Sequence, residues 1–199
     1  VHIIYNSVLY ISKWNYWINI SNQHKLMKLK IYSFKNVKST NDTALRFIKN
    51  NITNGVITSE TQKKGRGQYG KNWISNKGNL FMSIFFPIKK KINPKRVSKI
   101  NLKIIKNIFF KKIRIKTTIK YPNDILIKNK KVCGILQEIV YNKNNKILII
   151  GIGINIINSP IIKEYETTYL NKYYRKKIKL FNLVKIIKST FEKKQILYA

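Results

Sequence analysis

The sequence predicts an α+β fold, a mixed β-sheet flanked by helices. Two observations predict it. Short runs rich in Ile, Val, Tyr, Phe and Thr recur along the chain and are bounded by Gly, Pro and Asn, the pattern of strands. Strands come in runs with helical patterns between them, the order expected of one α+β domain. A chain of 199 residues is long enough for one sizeable core.

The elements follow in order. Residues 28–37, "KLKIYSFKNV", place Leu29 and Ile31 on one face and Tyr32 and Phe34 on the other, and read as a strand. "STND" (39–42) then offers caps to a short helix, "TALRFIKN", with Leu45 and Ile48 on one side. Val56–Ser59 reads as a strand, and the polar, Gly-rich residues 61–79 as a loop. "LFMSIFFP" (80–87) is a buried strand by length and composition. Pro94 opens a helix whose Val97, Ile100, Ile104, Ile105 and Ile108 keep the 3.6-residue period. "IRIKTTIKYP" reads as a strand stopped by Pro122, and 131–141 and 146–154 as two strands joined by "NKNNK". Helical patterns fill most of 161–198.

The charge is lopsided: 41 basic residues face seven acids, a net charge of +34. Two causes fit. One is a polyanion-binding surface whose Lys side chains release counterions from phosphates. The other is compositional drift, since the chain is rich in Lys, Asn and Ile and has Ala only at 44 and 199. The basic residues are scattered, which favours drift, and no specific nucleic-acid partner is expected. The single cysteine, Cys133, forbids an intramolecular disulfide and fits a reducing cytoplasm. No run of about 18 apolar residues marks a membrane span.

In a chain this poor in glycine and acids, their positions carry information. Gly65, Gly67 and Gly70 in "GRGQYG" match the G-x-G-x-x-G spacing of dinucleotide-binding folds. That reading needs a helix next and an acid about 20 residues on. "KNWISNKGN" follows instead and leads into a strand, and Lys stands near position 90. What remains is a basic loop with many free N–H groups and Arg66, suited to wrapping an anionic ligand. In "KYPNDILIKNKKVCGILQE", Pro122 fixes the backbone ahead of Asn123 and Asp124. Asp124 opens a strand, where its carboxylate can hold a metal or orient an amine. Lys131 and Gly134 lie just past a turn, where an ammonium can reach an anion that the glycine admits closely. "GIGIN" (151–155) leaves similar room for a ligand.

Together these stretches resemble a biotin–protein ligase. "STN" (39–41), "QKKGRGQYGKNW" (62–73), "GNLFMSI" (78–84), "KYPND" (120–124), "KKVCGILQE" (130–138) and "GIGIN" (151–155) occur in that family's order and at similar spacing. The resemblance spans about residues 33–192. It implies a catalytic domain similar to those of class II aminoacyl-tRNA synthetases and lipoate–protein ligases. It implies that ATP and Mg²⁺ serve to activate biotin as biotinyl-5′-AMP, and that a lysine of a biotin carboxyl carrier protein then takes the acyl group. The carrier would belong to acetyl-CoA carboxylase or a similar biotin-dependent enzyme.

Carried over by motif, Lys131, Arg66 and Asp124 are the catalytic candidates. Ser39, Thr40, Asn41, Gln62, Gly65, Gly67, Gln68 and Gly134 join Arg66, Trp73 and Lys131 around biotin and the adenylate. Trp73, Asn123 and Asn155 fall to the nucleotide, and Asp124 to Mg²⁺. Closure of 62–73 over the adenylate would exclude water.

The sequence departs from the family in places. Gln68 and Tyr121 stand where many members carry Arg and Trp. Losing the cation at Gln68 would weaken retention of the adenylate. The resemblance places residues 28–199 in one catalytic domain and leaves 1–27 as an unassigned extension. Met27 begins a natural-looking start, so residues 1–26 are expected to come from an upstream start. No winged helix is recognised ahead of the catalytic part, nor the family's small C-terminal domain after it, which raises the reading of a minimal or degraded enzyme. The alternatives are a lipoate or octanoate ligase or transferase of the same fold, and a basic nucleic-acid-binding module. The sequence does not set the oligomeric state, and a homodimer is compatible with it. His2 and His24 lack metal-ligand spacing, Cys133 reads as packing, and the Trp14–Tyr16–Trp17 cluster reads as an interface or a disordered stretch.

Overall fold

The computed structural model describes residues 27–88, 92–143, 145–174 and 176–198. The readings of His2, His24, the Trp14–Tyr16–Trp17 cluster and the extension up to residue 26 lie outside the described residues. Seven strands form one mixed sheet: β1 (Ile31–Val37), β2 (Gly55–Gln62), β3 (Leu80–Ile88), β4 (Thr118–Lys120), β5 (Asp124–Ile127), β6 (Lys130–Asn142) and β7 (Asn145–Ile154), in the spatial order β1-β2-β3-β7-β6-β5-β4. β1 and β2 are parallel and every other pair is antiparallel.

Three α-helices cover the sheet: α1 (Thr40–Lys49), α2 (Pro94–Ile108) and α3 (Leu180–Lys193). Each starts where the chain favours it or is packed into place. The Ser39 hydroxyl accepts from Asp42 N and caps α1, and Asn93 caps α2 ahead of Pro94 at its first turn. α3 has no side-chain cap and is held by burial of Leu183, Val184, Ile187 and Phe191. α2 and α3 lie against the large core with Met82, Ile84, Phe86, Ile150 and Ile152. α1 lies on the other face over a smaller core of Ala44, Ile48, Ile57, Phe85, Ile147 and Ile149. Tyr198 ties the end of the described chain to α2, its hydroxyl donating to Asn101 Oδ1 at 2.5 Å.

The structure departs from the expected elements in two stretches. "IRIKTTIKYP" forms a strand only over Thr118–Lys120. The chain first leaves α2 through a π-type turn, Phe109–Ile113, which buries Phe109 and Ile113 and ends at Arg114 with φ 61°. Of 161–198, only Leu180–Lys193 is α-helical, with short 3₁₀ turns at Leu170–Lys172 and Gln195–Tyr198. Between residues 160 and 170 the backbone is committed elsewhere. Lys131 N donates to Glu166 O, Thr168 N to Lys131 O, and Leu170 N to Asn155 O. Those tertiary bonds replace the helical ones that local propensity favours.

Candidate functional site

The site lies where the α1 face of the sheet changes character. Along β7 the side chains on that face run Ile147, Ile149, then Gly151 and Gly153; on β3, Phe85 gives way to Ser83. Under the helix the face is bulky, and beyond it the bulk is gone. The missing Cβ atoms matter: at Gly151 one would stand 2.4 Å from Asn41 Oδ1, at Gly153 2.4 Å from the Trp73 ring, and at Gly134 2.6 Å from the same ring. These glycines make the floor of a cleft of about 270 Å³, near the small end of ligand pockets, roughly 300–1,000 Å³.

"GRGQYG" is a tight hairpin over this floor. Gly65 O accepts from Trp73 N, Gly67 N donates to Lys71 O, and Arg66 bridges to Asn72 across the two arms. Gly65 is required by space, since a Cβ there would meet Trp73 O at 2.4 Å. Gly70 is required by conformation, with φ 73° at the tip beside the exposed Tyr69. The base of the hairpin is tied down by polar contacts. Thr40 N donates to Gln62 Oε1, Gln62 Nε2 donates to Ser75 Oγ, and Ser75 Oγ donates to Trp73 O. Arg66 reaches from the hairpin to two acids, with Nη2 2.6 Å from Glu138 Oε2 and Nε 3.0 Å from Asp42 Oδ1.

Across the cleft stands Lys131. A bulge between Ile125 and Leu126 breaks the β5–β6 register beside it, the kind of irregularity that re-aims a side chain. Its ammonium is 2.9 Å from Asp124 Oδ1, and both side chains are largely enclosed, at 12% and 19% exposed. It also lies 5.4 Å from the Trp73 ring centroid and 5.0 Å from that of Tyr165. The Asp124 contact is too oblique to be a hydrogen bond, so Oδ1 is buried without an aligned donor. Trp73 Nε1 and Asn155 Oδ1 are likewise buried without partners. Orphaned polar atoms are rare in a finished interior; of the eight among the described residues, four (on Arg66, Trp73, Asp124 and Asn155) stand at the cleft or its adjoining hollow. Cys133, beside Gly134, has its thiol pushed up chiefly by burial and then by the Asp124 charge, which makes it an inert packing residue.

The structure gathers most of the expected residues. Ser39, Thr40, Asn41, Gln62, Arg66, Gly67, Gln68, Trp73, Asn123, Asp124, Lys131 and Gly134 line the cleft, and Gly65 stands at the hairpin's base. Asn155 lies in a small adjoining hollow with Trp73, Lys131 and Tyr165. Its Nδ2 is committed to Thr168 O. Four others are also committed within the protein: the Ser39 hydroxyl caps α1, the Asn41 carboxamide is held by Ser83 and Glu138, the Thr40 hydroxyl lies between Ser83 and Gln62, and the Gln62 carboxamide is held by Thr40 and Ser75. Sequence reasoning missed Glu138, Asp42 and Tyr165 as parts of the site. Scarcity was the available signal for the two acids. Six of the seven acids (Asp42, Glu60, Asp124, Glu138, Glu166 and Glu192) stand in ion pairs, and three of these hold Arg66 or Lys131. Among the described residues no cluster of three or more His, Cys, Asp or Glu is placed to hold a metal.

The sequence profile of the biotin/lipoate A/B protein ligase family matches residues 33–155. The bifunctional ligase/repressor BirA of Bacillus subtilis is 34% identical over 131 residues, covering 62% of this chain and 39% of that protein. The chain thus spans about two fifths of that relative's length. The biotin protein ligase of Aquifex aeolicus, solved with biotin and ATP, is 26% identical with a TM-score of 0.71, over 84% of this chain and 70% of that one. The Leishmania major enzyme bound to biotinyl-5-AMP shares the fold at 24% identity and a TM-score of 0.73, over 85% and 76% of the two chains.

Proposed function

The chain belongs to the biotin/lipoate A/B protein ligase family, and from that premise we propose that it is an ATP-dependent biotin–protein ligase. One observation carries the reading: separate stretches of the chain bring Arg66, Trp73, Asp124 and Lys131 together around a glycine floor beside α1. In the first step a carboxylate oxygen of biotin attacks the α-phosphorus of ATP, and pyrophosphate leaves. Like charges oppose that approach, so preorganised cations and N–H dipoles must offset them. Lys131 would sit against the oxygens between the biotinyl carbonyl and the phosphate, and Arg66 would supply the second cation from the hairpin. Thr40 and Gln62 would present polar groups to biotin, and Trp73 a flat face to the adenine. In the second step the amine of an acceptor lysine attacks the acyl carbon, AMP leaves, and the amine gives up its proton. Asp124, with an oxygen that has no aligned donor, would orient that amine.

Asp124 also suits Mg²⁺ in a limited way. It offers one carboxylate, enough for an ion held mainly by phosphate oxygens and water. Bound there, the ion would neutralise phosphate charge. The acceptor is a biotin carboxyl carrier domain, and the reaction belongs in the cytoplasm. No helix among the described residues is long and apolar enough to cross a membrane.

The test is ATP–pyrophosphate exchange with biotin or lipoate as the acid. Exchange that depends on biotin is expected. Lys131→Ala and Arg66→Ala should each cost about 3 kcal/mol or more of transition-state stabilisation. Exchange with lipoate alone would replace this reading with the lipoate one. Near-normal rates in both variants would overturn the roles given to them.

A further inference from the structure

We infer that Glu138 is a positioning residue for this reaction, acting through Arg66; the inference rests on the ligase reading. Glu138 pairs with Ile149 on β7, and Ile149 pairs with Phe85 on β3, so it continues the apolar row beneath α1. Val140, two residues along β6, packs into that same apolar cluster. A carboxylate whose side chain is 25% exposed is costly in such a row unless it is paired and hydrogen bonded.

It is paired twice, on one oxygen. Arg66 Nη2 and Asn41 Nδ2 both donate to Glu138 Oε2, each at 2.6 Å. These are short, charge-assisted contacts of the directional kind. Asp42, the other acid on Arg66, contributes differently. Its oxygen is 3.0 Å from Nε, but that N–H makes no hydrogen bond. Asp42 therefore supplies charge alone, whereas Glu138 supplies charge and direction together.

Glu138 thereby joins two walls of the cleft, Asn41 from the first turn of α1 and Arg66 from the hairpin. The guanidinium is a rigid fork, so fixing Nη2 fixes where its remaining N–H groups aim. The Asn41 carboxamide is oriented by the same anchor, its oxygen lying 2.5 Å from Ser83 Oγ and its nitrogen on Glu138. Without the carboxylate, Arg66 keeps only the oblique attraction of Asp42, and its fork loses its aim.

The experiment uses Glu138→Gln, which keeps the shape and removes the charge, in a cycle with Arg66→Ala. For biotin-dependent exchange, kcat/KM is expected to fall about tenfold in Glu138→Gln and about 100-fold or more in Arg66→Ala. The double variant should stay within about twofold of Arg66→Ala, because a residue acting through Arg66 has nothing left to position. Losses that multiply would overturn the inference and leave Glu138 a structural tie between α1 and the sheet.

A second readout is independent of activity. Limited trypsin digestion of the ligand-free protein should cut the hairpin, at Lys63, Lys64, Arg66 or Lys71, faster in Glu138→Gln than in the wild type. Equal rates would show that Glu138 does not fasten the hairpin. Wild-type protein without biotin-dependent exchange would refute the ligase reading itself, and the digestion would still decide whether Glu138 holds Arg66.

Discussion

Residue chemistry in this chain is governed by scarcity. Cations are everywhere and acids few, so an ion pair singles out particular cations, and two such places face each other across the cleft. Arg66 has Asp42 and Glu138; Lys131 has Asp124. Cys133 shows the opposite case, a titratable group enclosed and kept neutral. Its ordinary value is 9.0, and burial raises it far above that. The folded chain therefore holds a proton that the unfolded chain releases above about pH 9, so this contribution is complete below that pH and is lost as pH rises. Replacing Cys133 with Val removes the effect. The stability advantage of Cys133→Val over wild type should grow by about 1.4 kcal/mol per pH unit above pH 9 in urea titrations. Parallel curves would show that the thiol ionises as freely in the folded state.

At the scale of elements, what the sequence could reveal tracks how local each cause is. α2 was readable because Asn93, Pro94 and the spacing of Val97, Ile104, Ile105 and Ile108 all act within the helix itself. The β6–β7 hairpin was readable for the same reason. The stretch after β7 was not: its Thr168 and Leu170 amides bond to Lys131 and Asn155, far away in sequence, and no local pattern records that. Glu138 was hidden in the same way. It sits in a strand of otherwise ordinary composition, and only the register with β7 and the reach of the hairpin give it partners. Scarcity marked the glycines, Asp124 and the stretches around Arg66 and Lys131, the resemblance of short motifs supplied the other candidates, and neither records the bonds that hold those motifs together. Helix α3 offers a test of packing as its cause. It lacks a side-chain cap and buries Phe191 completely, so Phe191→Ala should cost about 3–5 kcal/mol in chemical denaturation. A loss below 1 kcal/mol would mean that α3 is not held by the core it covers.

For the whole molecule, the sheet does two jobs with its two faces. One face carries the large core under α2 and α3; the other is closed by α1 at one end and left open over glycines at the other. The cleft is thus a place where packing stops, bordered by cations that the few acids hold in place. A net charge of +34 would speed encounter with any acidic partner, an attraction screened beyond about 8 Å at physiological salt. We propose that this cleft activates biotin and passes it on. Mixing the protein with biotin, MgATP and a carrier domain and reading the carrier's mass decides it. One added biotinyl group per carrier is expected, dependent on ATP and lost in Lys131→Ala. An unmodified carrier, or one modified equally well by the Lys131→Ala protein, would contradict it.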